Sequence, residues 1–272
     1  EVSIYGRGKL LMEGTSGNPV EIVAATDRPW GCIGLQGPGS AGSRFRHLKV
    51  SGGSVGQFRG IRFKGMVNVY TSSDLVMEGC QVGPNQVGDD AVNLADTEAV
   101  IRNCHWSGAR ADGLDLDRCQ ALIEGCTFSS CANDGLDLMS SQVQLRDSTF
   151  TDCGDKALSV GEASRLVGRK LVATGCPTAV LVKDSSQAAL IEARLEGNQL
   201  AVDCYQENWL YPRGGSALLW KVELAANRRE LQADKASFIE LCQTSARTLP
   251  EAHVSQQPSS LWSDLIADQQ GQ

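Results

Sequence analysis

The sequence predicts an all-β chain: one right-handed parallel β-helix solenoid with coils of about 22 residues and a short C-terminal capping segment. Three observations carry this. First, one phrase recurs, as Gly88-Asp89-Asp90-Ala91-Val92-Asn93-Leu94, Ala111-Asp112-Gly113-Leu114-Asp115-Leu116-Asp117 and Asn133-Asp134-Gly135-Leu136-Asp137-Leu138, then in altered form from Asp155 to Glu162. Positions 90, 112, 134 and 156 are each 22 residues apart, and a fixed period of that size marks a solenoid. Second, apolar residues alternate within each phrase, which makes the phrase a strand with one buried face. Third, two more apolar runs follow in every repeat, such as Ala121-Leu122-Ile123 and Cys126-Thr127-Phe128, giving three short strands per turn separated by Gly, Asp, Asn and Ser. A leucine-rich repeat of similar period would need a leucine and asparagine consensus and a helical segment, and neither is visible.

Stacking turns this periodicity into columns. Coils lie about 4.8 Å apart, so residues at one repeat position line up along the axis. The inward columns are Val92, Leu114, Leu136, Leu158, Val180, Val202 and Leu94, Leu116, Leu138, Val160, Val182, Cys204, as a core requires. The outward column is Asn93, Asp115, Asp137, Ser159, and beside it at the turn run Asp90, Asp112, Asp134, Lys156. Carboxylates stacked at this spacing repel, so they cost stability unless a cation, a lysine or a ligand offsets them.

Taken from the start, residues 1–60 read as the first coils with irregular turns, including strands at Val20–Val23, Trp30–Leu35 and Arg44–Val50 and a Gly-rich loop at 36–44. That loop opens no helix and carries no G-x-x-x-x-G-K-[ST], so it marks corners and not a phosphate site. Asp74 to Cys80 aligns with the later Val100–Cys104 at an offset of 24, so one corner is two residues longer than in the regular repeat. After 162 the core columns continue while the acidic ones end. Tyr205 to Gly215 breaks the period as an aromatic loop, Ser216–Trp220 resumes a strand, and Ser237–Leu241 reads as the last one. The β-helix is thus expected over 1–242, with a tail over 243–272 that holds a short helix at Ser260–Ile266 and caps the open end or meets a partner.

Composition excludes several function classes. The chain of 272 residues carries a net charge of −7, which argues against nucleic acid and anionic membrane surfaces. No apolar run approaches membrane-spanning length. The chain opens in strand-like alternation without methionine, and the expectation is a mature protein or a domain of a longer parent with flanking domains. The ten cysteines include Cys80, Cys104 and Cys126 in one column and Cys131 and Cys153 in another. Rung spacing would tolerate disulfides, yet stacked inward cysteines also serve as small apolar residues; mostly free, buried thiols are expected, with Cys131–Cys153 the pair to check. With no C-x-x-C and with His47, His105 and His253 apart, neither a zinc site nor a histidine-based nucleophile is supported.

The repeated Asp-Gly-Leu-Asp phrase on a 22-residue turn resembles the right-handed β-helix repeats of pectin-lyase-like proteins. With the Tyr205-Gln206 loop, Asn227-Arg228-Arg229 and Asp234 to Ser237, it resembles more narrowly the bacterial β-helix domains associated with spore-coat-protein-H-like (CotH-like) proteins, over roughly 1–242. That group has no settled activity. The resemblance implies a location outside the cytoplasm (secreted, periplasmic or cell surface), and no kinase-like segment accompanies it here. Against better-known enzymes of the fold, Asn133-Asp134 and Asp89-Asp90 echo two polygalacturonase motifs in reversed order, while the Gly-His-Gly, Arg-x-Lys and Arg-x-Pro-x-x-Arg signatures are absent.

Three readings of the 88–162 face follow. It acts on a polysaccharide, through clustered carboxylates as acid and base or through a calcium ion that acidifies a uronate proton for Lys156 to remove; lyase, epimerase and hydrolase chemistry all fit. It binds a cell-surface glycan or calcium without turnover, the oxygen ligands of Asp115, Asp117 and Asp137 suiting a hard cation. Or it is a structural or protein-interaction scaffold whose Asp columns only cap turns. Candidate catalytic residues are Asp112, Asp115, Asp134, Asp137 and Lys156. Candidate substrate contacts are Asp90, Asn93, Asp117, Ser159 and Glu162, with Tyr205, Trp209 and Tyr211 as an aromatic wall.

Overall fold

The computed structural model describes residues 2–247 and 252–267. It is a right-handed parallel β-helix of three faces. The first face stacks, among others, Ile33–Gln36, Leu114–Asp117, Leu136–Met139, Lys156–Gly161 and Thr178–Lys183. The second stacks Gln120–Glu124, Gln142–Arg146, Arg165–Arg169, Gln187–Ile191, Ser216–Trp220 and Phe238–Cys242. The third runs from Val20–Ile22 to Glu223–Ala225. Two long strands, Val67–Glu78 and Val92–Arg102, turn the corner between the first two faces. The register follows the sequence period: Asn93 pairs with Asp115, Asp115 with Asp137 and Asp137 with Ser159. The longer corner is also present, with Val76 opposite Val100 and a register shift between Thr97 and Ala99.

Corners are made by residues of positive φ, mostly one at a time but in pairs at Glu162–Ala163 and Asp184–Ser185. Asp96, Arg118 and Ser140 turn the chain from the first face to the second, and Asn103, Gly125 and Asp147 from the second to the third. Such a conformation is costly for Arg and Ser, so these corners rely on ladder hydrogen bonds at both sides and on side chains that accept the neighbouring backbone. Ser141, Ser164 and Ser186 form one capping ladder, each hydroxyl accepting the N–H of residue 119, 141 or 164 at 2.9–3.1 Å. Asn198 and Asn227 form another. These neutral caps satisfy backbone donors that would otherwise be orphaned.

The interior is aliphatic toward the first two faces and aromatic toward the third. Trp106, Phe128 and Phe150 stack with centroids 4.7 and 4.8 Å apart and planes within 9°. All ten cysteines are buried free thiols, Cys131 and Cys153 among them. The glycine of the Asp-Gly-Leu-Asp phrase also has a packing cause. A Cβ on Gly113 would lie 2.7 Å from the Gly135 carbonyl oxygen, and one on Gly135 would lie 2.7 Å from that of Ala157. Only hydrogen fits where successive rungs approach this closely.

The C-terminal end departs from expectation. Phe238–Cys242 is followed by a further strand, Ala252–Ser255, that pairs in parallel with it, so the second face runs on. The chain then folds back across the outside of that face through the helix Ser263–Ala267, with Trp262 and Leu265 packed on Val167, Ala189 and Leu218. Glu240, wholly buried, anchors this strap by accepting from Ser255 Oγ, the Ser259 amide and hydroxyl, and Trp262 Nε1 at 2.6–3.0 Å. Among the described residues no helix is long and apolar enough to cross a membrane.

Candidate functional site

The outward side of the first face gathers the acidic residues on adjoining rungs, but buries them more deeply than strand alternation foretells. Asp115 and Asp117 are each 8% exposed and Asp90 only 2%. Asn93, Asp134 and Ser159 are also buried, while Asp112, Asp137 and Lys156 are half-buried. Strand period fixes which way a side chain points; it does not say what lies over it. Asp115 is held by a short relay: the Tyr70 hydroxyl donates to Asn93 Oδ1 at 2.6 Å, and Asn93 Nδ2 donates to Asp115 Oδ2 at 2.5 Å.

Burial sets the protonation states. Desolvation, then the charges of Asp115 and Asp112, pushes Asp90 up to about 10. Desolvation, then Asp117 and Asp137, pushes Asp115 up to about 8. Desolvation raises Asp134 to about 7 against the pull of Lys156. Asp112 and Asp117 are raised by burial too. Adjacent carboxyls in low dielectric cannot all ionise, so part of this face is uncharged carboxylic acid near neutral pH. For Lys156 burial works against the charge, but Asp155 and Asp134 outweigh it and hold the ammonium above its usual value. It therefore neutralises and donates; this geometry does not favour the base role that elimination would ask of it.

The turn residues have partners in the scaffold. Asp112 Oδ1 accepts the Asp134 amide at 2.8 Å and Asn133 Nδ2 at 2.7 Å, and Asp134 Oδ1 accepts the Lys156 amide at 3.0 Å. Asp117 differs: its Oδ1 is buried without any hydrogen-bond partner.

Other expected members lie apart. Glu162 faces a corner with Asp184 and Glu207, where a ligand oxygen from each lies within 4.8 Å of the others, the one such acidic trio among the described residues. Asp115, Asp117 and Asp137, the expected calcium set, are not gathered in this way: Asp137 sits one rung beyond Asp115 and Asp117, and Asp115 is tied to Asn93. At the Glu162 corner Lys183 already supplies the cation, contacting Glu162 at 3.7 Å and also Glu207. The 205–215 loop is pinned there by Asp184 Oδ1, which accepts the amides of Glu207 and Asn208 at 2.8 Å. Tyr205 and Tyr211 are half-buried, while Trp209 is 84% exposed and points away into solvent.

Two features escaped the sequence reading. Lys64 brings its charge near Asp115 and Asp117 and pulls both down, against the larger effect of burial. It leaves an antiparallel hairpin, Gly56–Phe58 with Ile61–Phe63, that folds over the N-terminal end of the same face. Arg59 and Gly60, both at positive φ, make the tight turn that such hairpins favour. An X-Gly pair between Phe58 and Ile61 was the available signal. A larger cavity of about 590 Å³ lies instead on the second face, floored by Val100, Leu122 and Gln144, away from the raised carboxyls.

The sequence matches the family described as right handed beta helix region over residues 90–211. No curated protein sequence matches the chain. Among solved structures, a pectate lyase from Paenibacillus sp. 0602 is similar at 9% identity over 97% of this chain and 88% of that one, with a TM-score of 0.57. An alginate lyase from Paenibacillus sp. str. FPU-7 is similar at 14% identity over 86% of this chain and 91% of that one, with a TM-score of 0.50. At such identities the likeness is one of fold.

Proposed function

We propose that this β-helix engages a carbohydrate polymer along the outward side of its first face, and that the carboxyls of rungs 90–137 transfer protons on that polymer. The observation that carries this reading is the split among neighbouring acids: Asp134 is poised at about 7 while Asp115 and Asp90 are driven to about 8 and 10. Neighbouring carboxyls that hold protons at different pH are the arrangement acid–base catalysis uses. In this reading Asp134 or Asp115 donates to a glycosidic oxygen and the more accessible Asp137 receives a proton or attacks the sugar carbon. Rung spacing sets Asp115 and Asp137 roughly 5 Å apart, closer than a separation that admits an attacking water, so hydrolysis at this pair would retain configuration. Lys156 and Lys64 balance the charge. The solved lyases named above act on polysaccharides of the kind this reading invokes, and the resemblance to CotH-associated domains belongs to the same proposal, with a place outside the cytoplasm.

The second reading is a scaffold without turnover, favoured by the amides that Asp112 and Asp134 accept. The deciding experiment incubates the protein with neutral and uronic-acid polysaccharides, with calcium and with chelator, following reducing ends and ultraviolet absorbance together. Reducing ends without absorbance mean hydrolysis; absorbance means elimination. Asp115→Asn with Asp137→Asn should abolish turnover and leave the fold intact. Silence across the panel, or an unimpaired double variant, refutes the catalytic assignment.

A further inference from the structure

The outward side of the second face carries a largely apolar stripe, and only half of it is covered. Through the register its central column reads Val76, Val100, Leu122 and Gln144, then Val167, Ala189, Leu218 and Glu240, one residue per rung. The C-terminal strap lies over the second set, with Trp262 and Leu265 on Val167, Ala189 and Leu218 and with Glu240 as its anchor. Over the first set there is no strap among the described residues. Its Val100, Leu122 and Gln144 floor the cavity of about 590 Å³, which Leu265 of the strap bounds at one end. The open and the covered half are therefore equal in length, about 19 Å each by rung spacing.

The strap also presents an apolar residue on its outer side. Leu261 is 47% exposed beside the wholly buried Trp262. Asp264, three residues on and so on the same side of the helical turn, is exposed with it. The wall of the open groove offers Gln120 and Gln142, both exposed, whose amides are donors for a carboxylate. An apolar floor beside an amide wall is the complement of a ridge built from a leucine and an aspartate.

We propose that the occupant of this groove is the strap of a second copy of the chain, in a two-fold antiparallel dimer formed by the second faces. A two-fold axis along the strand direction, set between the rungs of Gln144 and Val167, reverses the rung order of one copy against the other. It lays each strap over the other copy's open half, so that the rung of Leu218 meets that of Val100 and the rung of Ala189 meets that of Leu122. The contact is isologous and closed, because both copies give a strap and a groove. A parallel pairing would set strap against strap and leave both grooves empty. The whole stripe is about 38 Å long and its five-residue strands about 16 Å wide. Two such faces bury on the order of 1,200 Å² together, the lower bound of stable association. The first face lies on another side of the coil and stays open in this dimer, so the inference is independent of the carbohydrate reading.

The test is sedimentation velocity of the full chain from about 1 to about 100 μM. The wild type should pass from monomer to dimer within that range. Leu261→Asp on the strap and Leu122→Lys in the groove should each weaken association at least tenfold at an unchanged unfolding temperature, since both side chains lie outside the solenoid core. Each variant keeps the half that the other has lost. Mixing the two should therefore recover association, with one junction intact and the other pairing a carboxylate with an ammonium. A wild type that stays monomeric to about 100 μM overturns the proposal and leaves the groove to a foreign apolar segment. A dimer that persists undiminished in both variants overturns it as well. A mixture that associates no better than either variant alone overturns the pairing of groove with strap.

Discussion

Asp115→Asn tests the electrostatics of the face most directly. In the fold the Asp115 carboxyl is 8% exposed and holds its proton up to about 8, whereas the free side chain ionises near 3.8. Between those values the folded protein keeps a proton that the unfolded chain has released. Its contribution is therefore fully favourable below the unfolded value and is lost as pH rises toward the folded one, at about 1.4 kcal/mol per pH unit. From about pH 4 to about pH 7 the loss amounts to roughly 4 kcal/mol. Part of it is shared with Asp90, which lies against the same carboxyl, so the slope belongs to the pair. Asparagine has nearly the same shape, cannot ionise, and offers a carbonyl to the Asn93 amide that Asp115 now accepts at 2.5 Å. The variant should match the wild type near pH 4 and exceed it by about 2–4 kcal/mol near pH 7. Urea unfolding of both proteins across that range reads the difference. Parallel curves would refute a buried neutral carboxyl. A wild type that gains on the variant as pH rises would mean that Asp115 is ionised and paired with Lys64.

Three further outcomes are expected. Phe128→Ala opens the middle of the Trp106–Phe128–Phe150 stack, where Phe128 is 1% exposed, and should lower unfolding stability by about 3–5 kcal/mol; a loss below about 1 kcal/mol would contradict the packing. Glu240→Gln removes the carboxylate that clasps the C-terminal strap. Burial pushes Glu240 up but the donors of Ser259, Trp262 and Ser255 outweigh it and hold it below its ordinary value. The clasp is therefore present above the unfolded value and fails as pH falls; in the variant Trp262 emission should shift to the red at neutral pH, and an unshifted spectrum would count against the anchor. Turnover that uses the Asp134 proton should decline as pH rises through about 7, and a rate that climbs across that range would assign Asp134 as base instead.

The core was legible because period two and period 22 act together: Leu114, Leu116 and their equivalents could point nowhere but inward. The cysteine columns read correctly for the same reason. What lay over the outward columns was not legible, since that depends on segments outside the repeat. The hairpin at 56–63 carries no 22-residue partner, so neither Phe63 over Gly34 nor Lys64 near Asp115 follows from any column. The strap was foreseen as a cap for an open end, yet it lies along a side, because the outward residues Val167, Ala189 and Leu218 form an apolar stripe that must be covered. Period alone does not tell a stripe of that kind from a second core.

Whether the acidic rungs serve the architecture or a task can be argued from their own column. A β-helix needs acceptors for corner amides, and this one obtains them elsewhere from the uncharged Ser141, Ser164, Ser186, Asn198 and Asn227 as well as from Asp184 and Asp234. Asp112 and Asp134 do cap amides, but serine or asparagine would do so without a charge to desolvate. Asp115 and Asp117 cap no amide, and one oxygen of Asp117 has no partner at all. The fold does not demand acid at these positions either. Two rungs beyond Asp137 the same column is Leu181, 2% exposed, before acid returns one rung later at Asp203. The carboxyls of Asp115 and Asp137, on two successive rungs of this column, therefore cost stability that an aliphatic column would not. A cost concentrated on the rungs of Asp90, Asp115 and Asp134, and met again only at single positions such as Asp203, is better accounted for by a ligand than by the scaffold.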